Sequence, residues 1–382
     1  APNTQPNTDP DATNAVLRVE LTGSTMGIGN GLVLGGSGGS TVRGLVIRDF
    51  GPGINGNGHG ILIQSNDNTV AGNFIGTDVT GMSQGRNSNA AVGISLFDGT
   101  AEFKGNVIGG TSPAARNILS GSAFGVQLGV EAVGNVVLGN LIGTNATGES
   151  AIPNFNSGIS IIGSGNTIGG IESNARNIIA GNSNRGLAIG TGTDNVVLGN
   201  YIGVTARENA LPNEGPGIFL SNNATKTVIG GAAPGAGNVI SGNLGAGTEI
   251  GRFDGPGHDT VIQGNLIGTD PTGEGPMPNQ DGITITNGAL GTLIGGVNPG
   301  QGNTIAFNFG FGVIIYDATA TVISGNSIHD NGELGIDLVG DAEGFDFVTA
   351  NDPGDTDGDP NGLQNWPVIA DAQNGGGTVS LQ

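Results

Sequence analysis

Asn135-Val-Val-Leu-Gly-Asn140-Leu-Ile-Gly-Thr144 and Asn166-Thr-Ile-Gly-Gly170, the second followed after a short insertion by Arg176-Asn177-Ile-Ile-Ala-Gly-Asn182, decide how this chain folds. The first phrase returns at Asn68 to Thr77, Asn195 to Val204 and Thr260 to Thr269. The second returns at Asn106 to Gly110 with Arg116-Asn117, at Val228 to Gly231 with Asn238, and at Leu293 to Gly296 with Asn303. The two phrases alternate, each with its insertion at a different corner. A third marker, Gly-x-x-Ile/Leu, starts at Gly31, Gly60, Gly93, Gly125, Gly158, Gly186, Gly217, Gly247, Gly282, Gly312 and Gly335. Ten gaps cover 335 − 31 = 304 residues, so one unit is close to 30 residues.

Within a unit the apolar residues come in runs of two to four, spaced by two and separated by Gly or Asn. That is strand periodicity, not helix periodicity. A single unit buries about six aliphatic side chains, far too few to order some 30 residues. Stacked units succeed because each strand pairs with the strands above and below and all share one core.

Composition agrees with a stacked repeat. Glycine and proline number 77 + 17 = 94 of 382 residues, which without a period would read as disorder. A formal charge of −21 repels nucleic acid, anionic membranes and anionic polysaccharides, and favours divalent cations. With no cysteine, disulfides and thiolate chemistry are excluded. No apolar run approaches the ~18 residues of a membrane span, so membrane insertion is not expected. The chain opens Ala1-Pro2-Asn3-Thr4, which suggests a processed chain or a piece of a larger one.

The repeated phrases resemble those of parallel β-helix repeat proteins of the pectin-lyase-like superfamily. More narrowly they are similar to large secreted bacterial proteins with an upstream CSLREA-type segment and downstream β-sandwich domains. The resemblance covers nearly the whole chain. It implies an all-β fold, a single right-handed parallel β-helix of about eleven rungs over residues 1–340. Residues 341–382 are expected to form an acidic C-terminal cap and the start of a linker to a missing downstream domain. The resemblance also implies an extracellular or cell-surface location.

Asn73, Asn117, Asn140, Asn177, Asn200, Asn238, Asn265, Asn303 and Asn326 share one repeat position. They are expected to form an internal amide ladder, since buried amides must find partners. The next residue in each unit (Phe74, Ile118, Leu141, Ile178, Tyr201, Val239, Leu266) alternates away from the core. Left bare, this stripe would be an association face. The long tails, such as Asn145 to Asn156, are the favoured cover. Turn chemistry accounts for Thr77-Asp78 and Thr269-Asp270 within the tails.

Asp352, Asp355, Asp357 and Asp359 alternate through a Gly- and Pro-rich stretch, the spacing with which calcium loops gather oxygen ligands. Calcium is the one cofactor expected. Trp366 reads as a plug of the same cap. Catalysis would need two carboxyls across a sugar, about 6.5–9.5 Å apart for inversion. The best-placed set is the insertion with Asp254, His258 and Asp259, with Asp194 two rungs before and Asp317 two rungs after. Asp98, Glu102 and Lys104 are a second enrichment. The superfamily also implies lyases, which abstract a proton with Arg or Lys, but Lys104 and Lys226 stand isolated in an acidic field. Ice binding would want a regular Thr column, and the threonines scatter. The function expected is therefore a non-catalytic extracellular stalk, adhesin or surface-layer rod, meeting other surface proteins, copies of itself or neutral polysaccharide. The alternative is a polysaccharide hydrolase working along the β-helix.

Overall fold

In the computed structural model the described residues are 3–23, 29–51, 58–85, 92–97, 101–221, 223–251 and 255–339, with the backbone of Ala372–Asn374 and Val379–Leu381. Asp98, Asp254, the calcium candidates Asp352, Asp355, Asp357 and Asp359, and Trp366 lie outside them. The described chain winds as a right-handed parallel β-helix. Three parallel sheets run the length of the rod, with eleven, eleven and ten strands. We call them sheets 1, 2 and 3 in the order a rung visits them, starting from Val19–Thr22, Leu32–Leu34 and Thr41–Arg43. Register is strict: Phe74 pairs with Ile118, Ile118 with Leu141, and Leu141 with Ile178. At about 4.8 Å per rung the stack is roughly 50 Å long.

Alternation fills the interior. In sheet 1 the inward column is Ile75, Leu119, Ile142, Ile179, Ile202, Ile240 and Ile267, each fully buried. Sheets 2 and 3 add Ile94, Val126, Ile159, Leu187, Ile218 and Ile108, Val137, Ile168, Val197, also fully buried. Glycine sits where the corners demand a left-handed residue. Gly143 has φ 87° and lies so close to the next rung that a Cβ would meet the Ala180 carbonyl oxygen at 2.3 Å.

The corners carry three asparagine ladders, of which the expected one is the first. Its amides donate rung to rung from Asn73 to Asn117, Asn140, Asn177, Asn200, Asn238, Asn265, Asn303 and Asn326, at 2.8 to 3.2 Å. A second ladder, Asn68, Asn106, Asn135, Asn166 and Asn195, runs along the corner before sheet 3. Beyond Asn195 the same column continues as Thr227, Thr260 and Thr292, all buried. A third ladder, Asn154, Asn182, Asn213, Asn243, Asn279, Asn308 and Asn331, runs along the corner before sheet 2.

Outside sheet 1 lies a second apolar layer. Phe74, Ile118, Leu141, Ile178, Tyr201 and Val239 are at most 6% exposed, and Leu266 is half-buried. The tails cover them, contributing Ala146, Val204, Ala206, Leu211 and Met277. The stripe is thus no free association face; alternation points it outward, and the tails of every second rung bury it.

Residues 3–17 complete this cover as a strap that folds back on itself, turning through residues 10–12. Gln5 bridges Val16 in antiparallel fashion, and Ala15 and Leu17 join the outer layer. The strap is held on by Arg116, whose Nη1 donates to the Ala12 carbonyl at 3.0 Å while its Nε donates to the Gly139 carbonyl at 3.2 Å. The Thr13 amide donates to the Ala146 carbonyl at 2.8 Å, and Asn7 Nδ2 to the Pro113 carbonyl at 2.9 Å.

Candidate functional site

The outer middle column of sheet 2 changes character along the rod. It reads Leu62, Ser95, Gln127, Ser160, Ala188 and Phe219, then Glu249, Thr284, Ile314 and Asp337. In the acidic half this face is a groove of about 590 Å³ lined by Glu214, Glu249, Asp281, Tyr316 and Asp317 among others. Glu249 and Asp337 are 6% and 4% exposed, which is unusual for carboxylates on a sheet's outer face.

Asp281 enters the groove just before Ile283–Ile285. Its Oδ1 accepts the Phe311 amide of the next rung at 3.0 Å. Burial raises its pKa above the ordinary carboxyl value, and the Phe311 hydrogen bond opposes that rise. Tyr316 follows Val313–Ile315, and its phenol is pushed up by burial and then by the fields of Asp281, Asp337 and Glu249. Four carboxylates, Glu214, Glu249, Asp281 and Asp317, therefore line one groove with the Tyr316 ring, from successive rungs. They accept hydrogen bonds from donors such as sugar hydroxyls, and they repel anions.

Asp317 belongs to this groove, not to the company of Asp259. Its Oδ1 accepts from Thr286 Oγ1 at 3.3 Å. The strand register carries the Asp259 position through Gly291 to Ala320, three residues beyond Asp317. Asp259, Lys226 and Asp194 occupy one corner column, with φ of 50°, 52° and 56°. They are turn residues in the left-handed conformation, and the Lys226 rung separates the two acids. His258 is half-buried, and its amide donates to the Ala224 carbonyl at 2.8 Å. Glu102 pairs with Lys104 at 2.5 Å on the exposed surface, a solvated ion pair rather than a site. Among the described residues no cluster of three or more His, Asp or Glu is arranged to hold a metal.

Sequence reasoning missed Glu249, Asp281, Tyr316 and Asp337 because they come from four rungs. Their shared signal is the replacement of small or apolar residues by acids at the outer positions of consecutive Gly-x-x-Ile/Leu segments, visible in Thr248-Glu249-Ile250 and Ile336-Asp337-Leu338.

No protein-family model matches the chain, and no curated protein does. Among solved structures it is similar to the Dettilon tailspike protein at 18% identity and TM-score 0.48, over 80% of this chain and 61% of that one. The chain thus spans less than two thirds of the tailspike. It is also similar to PfbA, a surface adhesin of Streptococcus pneumoniae, at 12% identity and TM-score 0.41, over 82% of this chain and 79% of that one. An alginate lyase from Paenibacillus sp. matches at 14% identity and TM-score 0.37, over 84% of this chain and 89% of that one. Since no TM-score here reaches 0.5, no residue role passes to this chain from these proteins.

Proposed function

We propose that this chain is a non-catalytic extracellular adhesive rod that holds a linear, neutral glycan along the outer face of sheet 2. The lining of one groove by Glu249, Asp281, Asp317 and Tyr316 supports this reading. Sugar hydroxyls donate to the carboxylates, and the Tyr316 ring offers a stacking face. A uronate chain would bring like charge into the groove and be rejected. Regular rungs on either side make the rest of the molecule a spacer.

Affinity electrophoresis of the full chain through gels cast with neutral glucans, neutral mannans or polygalacturonate tests the proposal. Retardation by a neutral glycan, lost in Tyr316→Ala and Asp281→Asn, is the expected result. Retardation only by the uronate polymer, or by none of them, overturns it.

The raised pKa of Asp281 favours a second reading, hydrolysis with Asp281 as the acid. Asp317 does not supply its partner. The register places Asp281 opposite Phe311, six positions before Asp317, so the two lie at opposite ends of Val313–Ile315. Glu249 or Glu214 would have to serve. Release of reducing ends that Asp281→Asn abolishes would establish this reading in place of the first.

A further inference from the structure

The strap site on Arg116 has a second copy in the rod. The two-rung repeat advances by 176 − 116 = 60 residues, and the positions that hydrogen-bond the strap recur at that interval. Pro113, Arg116, Gly139 and Ala146 become Ser173, Arg176, Gly199 and Ala206. The pose of the arginine recurs as well: Arg176 Nε donates to the Gly199 carbonyl at 3.2 Å, as Arg116 Nε does to Gly139. Short 3-10 turns, Pro113–Ala115 and Ser173–Ala175, precede both arginines.

The two sites differ in what lies over them. At Arg116 the strap does, and the arginine is 7% exposed. Arg176 is half-buried and lies with its guanidinium 3.8 Å over the Tyr201 ring, where the first site has Leu141. Its open side leads into a cavity of about 470 Å³ lined by Tyr201, Ala233, Pro234, Leu266 and Pro271. The strap shows what such a site accepts: the tip of a tight turn, closed by its own Asn7 and Asp9 side chains, that offers the Ala12 carbonyl to the arginine and the Thr13 amide to the tail. Ala15 and Leu17 pack into the layer, and Asp11 and Asp9 act electrostatically on Arg116. At the second site Arg207 adds a cation beside the tail, and Glu208 an anion.

We propose that the groove at Arg176 is a docking site for an acidic turn segment of a partner chain, bound as this chain binds the turn of its own strap. Arg176 donates to a main-chain carbonyl of the segment, the Ala206 carbonyl accepts a main-chain amide, and carboxylates of the segment flank the guanidinium. The site lies on the covered face of sheet 1 and is separate from the sheet 2 groove.

The test titrates the full chain with a fluorescein-labelled peptide of residues 3–17. Saturable binding is expected, weakened at least tenfold by Arg176→Gln and equally by Ala233→Trp, which fills the exposed wall without touching the fold. A peptide with Asp9→Asn and Asp11→Asn should bind more weakly, and added salt should reduce binding of the parent peptide. Melting curves of both protein variants check that the fold is retained. Binding that survives both variants but is lost in Arg116→Gln means that the peptide only displaces the resident strap, and it overturns the proposal. Absence of binding overturns it too. Self-association of the full chain that depends on Arg176 would assign the groove to a second copy and overturn the partner-chain occupant.

Discussion

Truncating Asn140 removes the middle of the first ladder. Its amide donates to the Ile108 carbonyl at 2.9 Å, the Leu138 carbonyl at 3.0 Å and Asn177 Oδ1 at 3.0 Å, and accepts from Asn117 Nδ2 at 2.8 Å. In Asn140→Ala some of these partners keep another bond. The Leu138 carbonyl still accepts the Gly110 amide, and Asn177 Oδ1 still accepts the Asn140 backbone amide. The Ile108 carbonyl and one hydrogen of Asn117 Nδ2 lose the bonds that Asn140 supplied. The Ile108 carbonyl keeps its ladder bond from the Leu138 amide, so one donor is stranded at about 1–3 kcal/mol, and with the lost packing the total is about 2–4 kcal/mol. Asn326 ends the ladder and is only partly buried, with bonds to the Ile294 and Ser324 carbonyls, so Asn326→Ala should cost about 1 kcal/mol. Asn140→Asp is the sharper probe. The carboxylate still accepts from Asn117 but cannot donate to two carbonyls, and it faces the Asn177 oxygen. It should therefore cost more than alanine at pH 7, and less at pH 4 where a proton returns a donor. Urea unfolding by circular dichroism gives the total, and hydrogen exchange localises it to the rungs on either side. A cost below about 1 kcal/mol for Asn140→Ala, or equal costs at positions 140 and 326, would refute the ladder as a stabilising device.

Leu141→Ala should cost about 3 kcal/mol in the same unfolding assay, because the tails make this column a core; a neutral effect would mean that the layer opens freely in solution. Asp281 carries a pKa raised by burial, so its folded form prefers the proton; the contribution is fully present below the ordinary value of 3.8 and is lost as pH rises through the raised one. Asp281→Asn should accordingly gain in melting temperature relative to the parent as pH climbs from 3 to 7, and a pH-independent difference would contradict the burial effect. Calcium should raise the melting temperature in a manner reversed by EDTA and abolished by Asp355→Ala with Asp357→Ala, and an unchanged melting curve would remove the metal from the C-terminal stretch.

The rungs were legible because one unit repeats its Gly, Asn and aliphatic positions with little change, so Asn73 to Asn326 could be aligned by eye. The other two ladders carried the same signal. The spacing of Asn154, Asn182, Asn213, Asn243 and Asn279 wanders by 28, 31, 30 and 36 residues, less than in the first ladder; the column stays hidden because its surroundings alternate between Pro-Asn after a tail (Pro153-Asn154, Pro212-Asn213) and Gly-Asn without one (Gly181-Asn182, Gly242-Asn243). Backbone pairing restores the alignment that counting loses. The same wandering misplaced Asp317, which counting put with Asp259 and the register puts three residues away. The strap was not legible at all. Residues 3–17 belong to no repeat, and their partners Pro113, Arg116 and Ala146 are more than 90 positions away in sequence.

Because tails cover sheet 1 from every second rung, the rod has a growth increment. Adding or losing one rung by recombination would leave two tails stacked on one another, or a strip of Leu141-like side chains facing water. Adding or losing two rungs, a segment of about 60 residues, keeps cover and ladders in phase and changes the length by about 10 Å. Natural length variants of such a rod are thus expected to differ by whole pairs of rungs. A designer adjusting its reach should cut between equivalent points such as Asn117 and Asn177, never between neighbouring rungs.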